Sequence, residues 1–384
     1  MNQKFRKSLG REKIMKVGYF MMPIHEVSKD YHQALEEDME SIIYADELGY
    51  SEAWVGEHYS SGAEQITHPL IFHSNLISRT KNIKLATGVI CLPQYHPALT
   101  AGQCAMFDHL SKGRFIMGVG PGGLPSDFEL FDTMEADRNG MMQEAISQIK
   151  ELWSTQPPYD IKGQHWSYKV TDWYDERRQL GYVAQPFQKP HPPMAISGMS
   201  PASSSIKYAG SQGFLPVSAN FVGHWVAKSH WPKYVEGARE AGLGDPDPEI
   251  WHVAKSIYVD DTDQKADEVV KDSNGPFSYY YEYLHGLFEK ANMKAGFVVN
   301  KGDDPENLKF EDMRDGLVFR GSPETVASQI LALRQEIGHF GTLLYTAHDW
   351  VNRDKMRNSM KLMAEEVMPI VNAEIAKETS TAAQ

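Results

Sequence analysis

The sequence predicts an α/β protein that folds as a single (β/α)8 TIM barrel, with insertions after the fourth and seventh strands. Eight apolar segments of strand length recur along the chain, and a stretch with helical spacing follows each of them. The segments are continuously apolar instead of alternating, as parallel strands covered on both faces require. A doubly wound open sheet has the same local pattern, and the count of eight favours the closed barrel.

Each strand candidate is an apolar run that a proline, a glycine or a polar cluster ends. In chain order they are KVGYFMM, EAWVG, IKLATGVICL, RFIMGVG, PMAIS, GFLPV, WHVAKSIYV and GTLLYTA. The helices between them repeat apolar residues every three or four positions, as Leu35 and Met39 do in the first. Near the end of the chain, Ser322 is expected to cap a helix that begins at Pro323 and ends at Gly338.

The barrel domain is predicted to cover residues 16–376. A flexible basic leader at 1–15 precedes it, and a disordered tail at 377–384 follows it. No low-complexity linker or internal repeat divides the domain.

Two stretches interrupt the alternation of strands and helices and are interpreted as irregular insertions, 154–192 and 272–318. The first is expected to contain a small β-like piece around 165–169. The second is rich in aromatic residues, which are Phe277, Tyr279, Tyr280, Tyr281, Tyr283 and Phe288. Such a stripe either packs as core or forms a lid over an apolar pocket, and both interpretations stay open.

The composition restricts the classes of function. Lys and Arg number 38 against 51 Asp and Glu, and the resulting net charge of −13 argues against a nucleic acid or an anionic membrane as partner. No run of about 18 apolar residues predicts a membrane span, and the two cysteines fit a reducing cytoplasm. The sequence lacks H-E-x-x-H, cysteine pairs at metal spacing and a G-x-S-x-G elbow, so it predicts neither a metal site nor a hydrolase.

Chemistry in a parallel barrel belongs at the carboxyl ends of the strands, where glycines and polar residues concentrate in this sequence. The segment GVGPGG, Gly118 to Gly123, formally matches the dinucleotide motif G-x-G-x-x-G. Pro121 and Pro125 interrupt the helix that this motif requires. We therefore favour a loop whose backbone a flat ligand can approach closely, and a dinucleotide-dependent dehydrogenase remains a distant alternative.

Three further features of the rim are candidates for the site. The segment SGMSPASSS, which includes Ser200 and Ser203, joins the fifth strand to a helix; its N–H groups and hydroxyls can hold a phosphate or simply cap the helix. Arg138, at the start of the helix after the fourth strand, is either the cation for that phosphate or a solvated arginine. His58 follows the second strand and is either structural or a proton donor or acceptor near neutral pH.

These segments together resemble the bacterial luciferase-like flavin monooxygenases. The resemblance covers roughly residues 16–372 and is carried, in order, by EAWVGEHYS, ATGVICLPQYHPALTA, FDHLSKGRFIMGVGPGG, SDFELF, FRGSPETVASQI and MKLMAEEVMPIV. VGEHYS, LPSDFELFD and HFGTLLYTAHDW are most similar to the limonene-monooxygenase-like branch.

The resemblance implies a two-component enzyme whose barrel binds reduced FMN that a separate flavin reductase supplies. In such enzymes O2 adds to the flavin, and the flavin C4a-peroxide oxidises a small apolar aldehyde, ketone or terpene such as limonene. A homodimer in the cytoplasm is the corresponding expectation. The same barrel is also used for flavin- or deazaflavin-dependent hydride transfer and for non-catalytic flavin-binding subunits, which are the alternatives.

The resemblance also implies roles for individual side chains. His58 matches the catalytic histidine of the family's E-H-H motif, whereas Tyr59 stands in place of the second histidine. Arg138 matches a phosphate-binding arginine, and Ser200 and Ser203 match the loop that surrounds the phosphate.

Backbone positions near the flavin follow from the same resemblance. Family members carry a non-proline cis peptide on the third strand beneath the flavin, which corresponds to Gly88–Val89 here. Gly120 and Met199 complete the expected cofactor-binding set. In luciferase the loop after the fourth strand carries a cysteine and an arginine, where this chain has Gly120 and Pro121, so luminescence is not implied.

Overall fold

Eight parallel strands close into a barrel, which confirms the predicted fold. The structure is a computed structural model that describes residues 14–382. Each barrel strand pairs in parallel with the next, and the last, Thr342–Thr346, pairs with the first, Lys16–Met21. Six of the eight barrel strands lie within the predicted apolar runs, and the other two, Met194–Gly198 and Leu215–Ser218, each extend one residue beyond them.

The elements are numbered along the described chain. The strands are β1 (Lys16–Met21), β2 (Glu52–Val55), β3 (Lys84–Thr87), β4 (Ile90–Cys91), β5 (Phe115–Gly120), β6 (Tyr159–Ile161), β7 (Tyr168–Val170), β8 (Met194–Gly198), β9 (Leu215–Ser218), β10 (His252–Val259), β11 (Phe319–Gly321) and β12 (Thr342–Thr346). The helices are α1 (Tyr31–Glu47), α2 (Pro69–Ser74), α3 (Pro97–Leu110), α4 (Pro125–Leu130), α5 (Arg138–Ser154), α6 (Ser204–Gln212), α7 (His224–Glu240), α8 (Asp263–Val270), α9 (Pro276–Lys290), α10 (Phe310–Leu317), α11 (Pro323–Ile337), α12 (Arg353–Leu362) and α13 (Met368–Ala382).

The barrel consists of β1, β2, β3, β5, β8, β9, β10 and β12, and its interior is a packed core. Each strand contributes to one inner cluster, formed by Phe20, Trp54, Ala86, Ile116, Ala195, Val217, Ala254 and Leu344. The indole of Trp54 fills space that the neighbouring alanines leave. A larger apolar cluster lies between the strands and the surrounding helices. The strands are therefore buried on both faces, which is why their sequences are continuously apolar.

The start of β1 and the terminal helix α13 are joined by hydrogen bonds. The backbone N–H of Met15 donates to Asn372 Oδ1 at 2.8 Å, and Asn372 Nδ2 donates to the carbonyl of Met15 at 3.2 Å. Met15 is buried, so it belongs with the barrel and not with the predicted leader, of which residues 1–13 lie outside the described residues. Because Met15 directly precedes β1, this contact lies at the face opposite to the carboxyl ends of the strands.

The terminal helix extends further than predicted. α13 continues to Ala382, past residue 377, where the sequence predicts the start of a disordered tail. Ile375 is buried in the core, and Arg334 donates to a carboxylate oxygen of Glu378 at 2.6 Å. These contacts with distant parts of the chain explain why small and polar residues remain helical there.

The insertion at 272–318 is largely helical, which corrects the prediction of an irregular region. α9 and α10 account for 23 of its 47 residues, and two short 3-10 helices at 294–296 and 305–307 add six. The buried side chains of α9 recur at three- and four-residue spacing: Phe277, Tyr280, Tyr281, Leu284 and Phe288. In the earlier insertion, β6 and β7 form an antiparallel pair, so the predicted β-like piece around 165–169 is the second arm of a hairpin.

Candidate active site

Glycines lie at the carboxyl ends of β2, β3 and β5, where the packing leaves no space for a side chain. A Cβ placed on Gly88 would lie 3.2 Å from the ring of Phe20 and 3.4 Å from Cβ of Trp54. A Cβ on Gly56, at the end of β2, would collide with the side chain of Met22 and lie 3.1 Å from the carbonyl oxygen of Gly88. Only glycine therefore fits at these positions of the mouth. We call Gly56, Gly88 and the adjoining Gly120 the glycine floor.

The peptide bond between Gly88 and Val89 is cis, as the resemblance predicts. Val89 packs against the end of β5, where a Cβ on Gly120 would lie 2.8 Å from Val89 Cγ2. Just beyond this contact, β4 pairs with β5, with Cys91 opposite Gly120. The structure thus brings three of the predicted cofactor-binding residues, Gly88, Val89 and Gly120, together at one point of the mouth.

His58 lies beside the glycine floor and is held by a carboxylate. His58 Nδ1 is 2.6 Å from Glu64 Oε2, and the backbone N–H of His58 donates to the carbonyl of Ile66 at 3.0 Å. Burial alone would lower the pKa of His58, but the charge and hydrogen bond of Glu64 outweigh burial and raise it. Glu64 fixes Nδ1 of the His58 ring, and Nε2 of the same ring has no hydrogen-bond partner among the described residues. Glu64 was not predicted from the sequence, because it lies six residues after His58 in an irregular loop.

Glu57 is a second carboxyl group in the same loop, and it is buried. It accepts hydrogen bonds from the backbone N–H of Cys91 at 2.7 Å and from the hydroxyl of Tyr95 at 3.0 Å. The hydroxyls of Tyr95 and Tyr59 are 2.7 Å apart and extend this chain. Burial raises the pKa of Glu57 to about 7 in spite of these hydrogen bonds. Tyr59, which replaces the second histidine of the family motif, therefore joins a network that ends on a carboxyl group able to hold a proton.

Asp127 fixes the position of this loop against α4. Its carboxylate is buried and accepts the backbone N–H groups of Tyr59 at 3.1 Å and Ser60 at 2.8 Å. The ring of Tyr59 packs edge-on against Phe131, with centroids 4.9 Å apart. The loop that carries His58 is thus anchored to the segment after β5.

The loop between β8 and α6 contains the predicted phosphate-binding residues. Ser203 caps α6, since its hydroxyl oxygen accepts the N–H of Ile206 at 3.3 Å, which was the simpler of the two interpretations. The N–H groups of Ser204 and Ser205, in the first turn, have no acceptor among the described residues, as is usual at a helix start. Ser200 is exposed. The loop therefore presents N–H donors and hydroxyls in one place.

A buried histidine supports this loop from below. His230 Nε2 donates to the carbonyl of Ser200 at 3.0 Å, and His230 Nδ1 lies 2.8 Å from the hydroxyl of Ser218. Burial lowers the pKa of His230 to about 4, so its ring is neutral at physiological pH. A carbonyl oxygen can only accept, which assigns the proton to Nε2.

Arg138 is the first residue of α5 and stacks on an aromatic ring. Its guanidinium carbon lies 3.9 Å from the centre of the Phe128 ring, and Nη1 donates to the carbonyls of Thr133 and Met134 at 2.6 Å each. A Cβ on Gly122 would lie 2.8 Å from the same Phe128 ring. The structure shows no contact between Arg138 and the two predicted phosphate-binding serines.

The glycine-rich loop lies between Phe128, on which Arg138 stacks, and the loop that carries Ser200. Gly123 follows Gly122, and a Cβ on Gly123 would lie 3.9 Å from Met199 Cε, in the loop that leads to Ser200. The predicted residues on the β5 and β8 sides therefore border one continuous strip of the rim.

α9 lies across the mouth. The hydroxyl of Tyr283 is 2.9 Å from Ser61 Oγ, in the loop that carries His58. On the opposite side, Tyr281 donates to Ser256 on β10 at 3.1 Å. The aromatic insertion thus contacts the rim at two separate points. It is packed against the barrel, and it also covers the site.

Two further results concern the described residues only. Between residues 14 and 382, no group of three or more His, Cys, Asp or Glu side chains is arranged to hold a metal ion. In the same part of the chain, no helix has the length and apolarity needed to cross a membrane.

Comparison with known proteins identifies the family. The model of the luciferase-like monooxygenase family matches residues 15–339. The chain belongs to this family. The predicted class of enzyme, a flavin-dependent monooxygenase, is confirmed at this level.

Individual relatives are similar along most of their length. The chain is 30% identical over 360 residues to limonene 1,2-monooxygenase of Rhodococcus erythropolis, covering 93% of this chain and 87% of that protein. It is 31% identical over 378 residues to 4-hydroxyprotoasukamycin monooxygenase of Streptomyces nodosus subsp. asukaensis, covering 93% and 92%. A solved structure with a TM-score of 0.83 and 30% identity covers 93% of this chain and 98% of its own. It is the oxygenating constituent of 3,6-diketocamphane monooxygenase from Pseudomonas putida, a type II Baeyer–Villiger monooxygenase, in complex with FMN.

Proposed function

We propose that the protein is the oxygenase component of a two-component monooxygenase. It binds reduced FMN from a separate flavin reductase and uses O2 to oxidise a small, mostly apolar substrate, such as an aldehyde, a ketone or a terpene. The observation that carries the proposal is the position of the His58–Glu64 pair beside the glycine floor, under the aromatic cover of α9.

The residues present fit the ring system of FMN. A planar ring is proposed to lie at the glycine floor, beside Val89, which packs at Gly120, and Met199, which lies near Gly123. Apolar side chains of the inner core, among them Trp54, close the space below. When bound in its reduced form, FMN supplies the electrons that activate O2.

The residues also fit the phosphate of FMN. The hydroxyls of Ser200 and Ser203 and the N–H groups at the start of α6 provide hydrogen-bond donors at a helix N-terminus. Arg138 provides the cation, and its stacking on Phe128 limits the directions in which the guanidinium can point.

His58 is proposed to hold and deliver a proton at Nε2. Glu64 engages Nδ1 and raises the pKa of His58, which favours the protonated ring that carries a proton on Nε2. Because Tyr59 takes the place of a second histidine, we assign no proton transfer to that position. Its hydroxyl instead belongs to the network of Glu57 and Tyr95.

The cover of α9 is proposed to exclude water. Phe277 and Tyr281 are fully buried, so this apolar face of α9 packs closely onto the mouth. A dry site suits oxygen transfer, since reactive groups there are protected from hydrolysis and from loss of protons to solvent. The same apolar surface supports a small apolar substrate.

The partners are part of the proposal. A separate reductase is supported by the description of the diketocamphane relative as an oxygenating constituent. From the family resemblance, we also propose a homodimer located in the cytoplasm.

The decisive experiment combines the purified protein with FMN, a flavin reductase, NADH and a panel of apolar aldehydes, ketones and terpenes. We expect oxygenated product from the wild type, and a loss of about 10²-fold or more in product formation for His58→Ala, with FMN affinity unchanged. His96→Asn is the matched control, because His96 is a rim histidine whose side chain caps α3, a role that asparagine can retain. Equal product formation by wild type and His58→Ala would remove His58 from the mechanism.

A further inference from the structure

A buried histidine without hydrogen bonds lies at the mouth. His348 is 1% exposed, and neither of its ring nitrogens has a partner among the described residues. Its ring packs against Phe277 and Tyr280 of α9, with centroids 4.2 and 4.6 Å apart. Burial lowers the pKa of His348 to about 3, so the ring is neutral and offers one N–H donor and one acceptor nitrogen. Unpaired buried groups of this kind are costly, which indicates that something outside the chain pairs with them.

The side chain of His348 belongs to the inner face of the barrel. Side chains alternate along a strand, so Leu344, Thr346 and His348 share one face, and Leu344 is part of the inner core. The N–H of Ala347 donates to the carbonyl of Phe20 at 2.8 Å, so pairing with β1 continues beyond β12. Thr346 is also buried, and its hydroxyl has no partner among the described residues either.

The polar side chains around this point are satisfied. Asn220 Nδ2 donates to Ser256 Oγ at 3.2 Å and to the hydroxyl of Tyr280 at 3.0 Å. Ser256 stands opposite Thr346 in the parallel pairing of β10 and β12. Among these rim residues, the unpaired atoms are therefore those of Thr346 and His348, at the end of a single strand.

α9 joins this point to the loop that carries His58. Tyr280 of α9 packs against His348, with ring centroids 4.6 Å apart. Tyr283, one turn further along α9, is bonded to the loop that carries His58.

We propose that His348 and Thr346 bind an oxygen atom of the substrate, a carbonyl or a hydroxyl, so that the preferred substrates are oxygenated compounds and not plain hydrocarbons. This inference rests on the proposed function, because it names the substrate class of the same site. A carbonyl oxygen has two lone pairs and can accept from the imidazole N–H and the threonine hydroxyl together. A hydroxyl can accept in the same way, or it can donate to the acceptor nitrogen of His348 instead. The carbon skeleton then lies against the rings of Phe277 and Tyr280.

Equilibrium binding without turnover tests the inference. Cyclooctanone, cyclooctanol and cyclooctane share one ring skeleton and differ in the oxygen. We expect at least one oxygenated ligand to bind the wild-type protein about tenfold more tightly than cyclooctane, as a hydrogen bond to an otherwise unpaired buried group allows. In His348→Phe this ratio should fall about threefold or more, because only the Thr346 hydroxyl then remains to pair with the oxygen, and cyclooctane affinity should be unchanged. The tighter ligand of the two identifies the oxygen as carbonyl or hydroxyl.

Three controls keep the test decisive. His73→Phe replaces a histidine that is equally buried and has an unpaired Nδ1, but lies outside the barrel on α2, and should leave the ratio unchanged. His348→Gln, which keeps a donor and an acceptor, should retain part of the preference. In ¹⁵N-histidine-labelled wild type, the ring resonances that are missing in His348→Gln should shift when the oxygenated ligand is added, even if His348→Phe fails to fold.

The inference is overturned if the wild type does not prefer an oxygenated ligand, because a trapped water then accounts for the unpaired atoms. It is equally overturned if His348→Phe keeps the preference, or if none of the three ligands binds. Neither FMN reduction nor O2 enters these measurements. Their failure would therefore leave the proposed monooxygenase function standing, whereas failure of oxygenation would not alter the binding ratios.

Discussion

Removal of one hydroxyl from α9 tests whether this helix closes the site. The hydroxyl of Tyr283 and Ser61 Oγ are 2.9 Å apart, and this hydrogen bond joins α9 to the loop of His58. Tyr283→Phe deletes the bond and keeps the ring. Tyr279→Phe is a matched control on the same helix, because the hydroxyl of Tyr279 makes no hydrogen bond within the part of the chain that the structure describes.

The magnitude follows from the nature of the bond. A hydrogen bond between two neutral, partly buried groups contributes about 1 kcal/mol, which corresponds to roughly a fivefold change in an equilibrium constant. The buried rings of Phe277 and Tyr281 remain in place, so the rest of the fold should be unaffected. We expect the open population of α9 to rise about fivefold, and the melting temperature to fall by no more than about 2 °C.

Amide hydrogen exchange of residues 276–290 measures that population directly and needs no substrate. With reductase, FMN and a turned-over substrate, the amount of H2O2 released per product should also rise for Tyr283→Phe, because the site is covered for less of the time. The reasoning would be refuted if Tyr283→Phe and Tyr279→Phe exchanged at the same rate and released the same share of H2O2.

Two predictions concern charge. Arg138→Ala should weaken FMN binding by about tenfold or more, because a charge-assisted hydrogen bond is lost, and it should leave riboflavin binding unchanged. Fluorescence titration measures both affinities, and equal weakening of both would show that Arg138 does not contact the phosphate. Burial raises the pKa of Glu57 to about 7, above its unfolded value. The contribution of Glu57 to the free energy of unfolding is therefore largest below about pH 4.5 and is lost as the pH rises through 7. Denaturant unfolding should therefore show wild type losing up to about 3 kcal/mol relative to Glu57→Gln between pH 5 and pH 8, and parallel pH profiles would contradict the assignment of a buried acid.

The strands and helix ends were predictable because the responsible signals are local. Each barrel strand is buried on both faces, so its sequence is an apolar run that needs no knowledge of its neighbours. Ser322 caps α11 through a hydrogen bond from the N–H of Thr325, and the helix ends at Gly338, as predicted. Both features depend on residues within one turn of each other.

α9 was not predictable as a helix because five of the eight residues in its first half are aromatic. In FSYYYEYLHGLF the helical period is visible only once the buried residues, such as Tyr280 and Tyr281, are distinguished from exposed neighbours. The sequence alone therefore indicates an aromatic segment but not its periodicity.

The network around the candidate site was missed because it joins distant segments. Glu57 meets Tyr95 and Cys91 only because β2 and β3 are neighbours in the barrel, and Asp127 meets Tyr59 across 68 positions of the chain. By contrast, the family resemblance located the cis peptide correctly at Gly88–Val89. The roles of His58, Arg138, Met199 and the two serines stay predictions until the variants are measured.

Two hydrogen bonds connect Met15 and Asn372, and we call this contact the seam. It lies at the amino end of β1, whose six residues rise about 3.3 Å each, so roughly 20 Å of barrel separates it from the mouth. A fluorescent reporter, a surface linker or a fused electron-donating domain attached at this seam would leave the catalytic rim unobstructed.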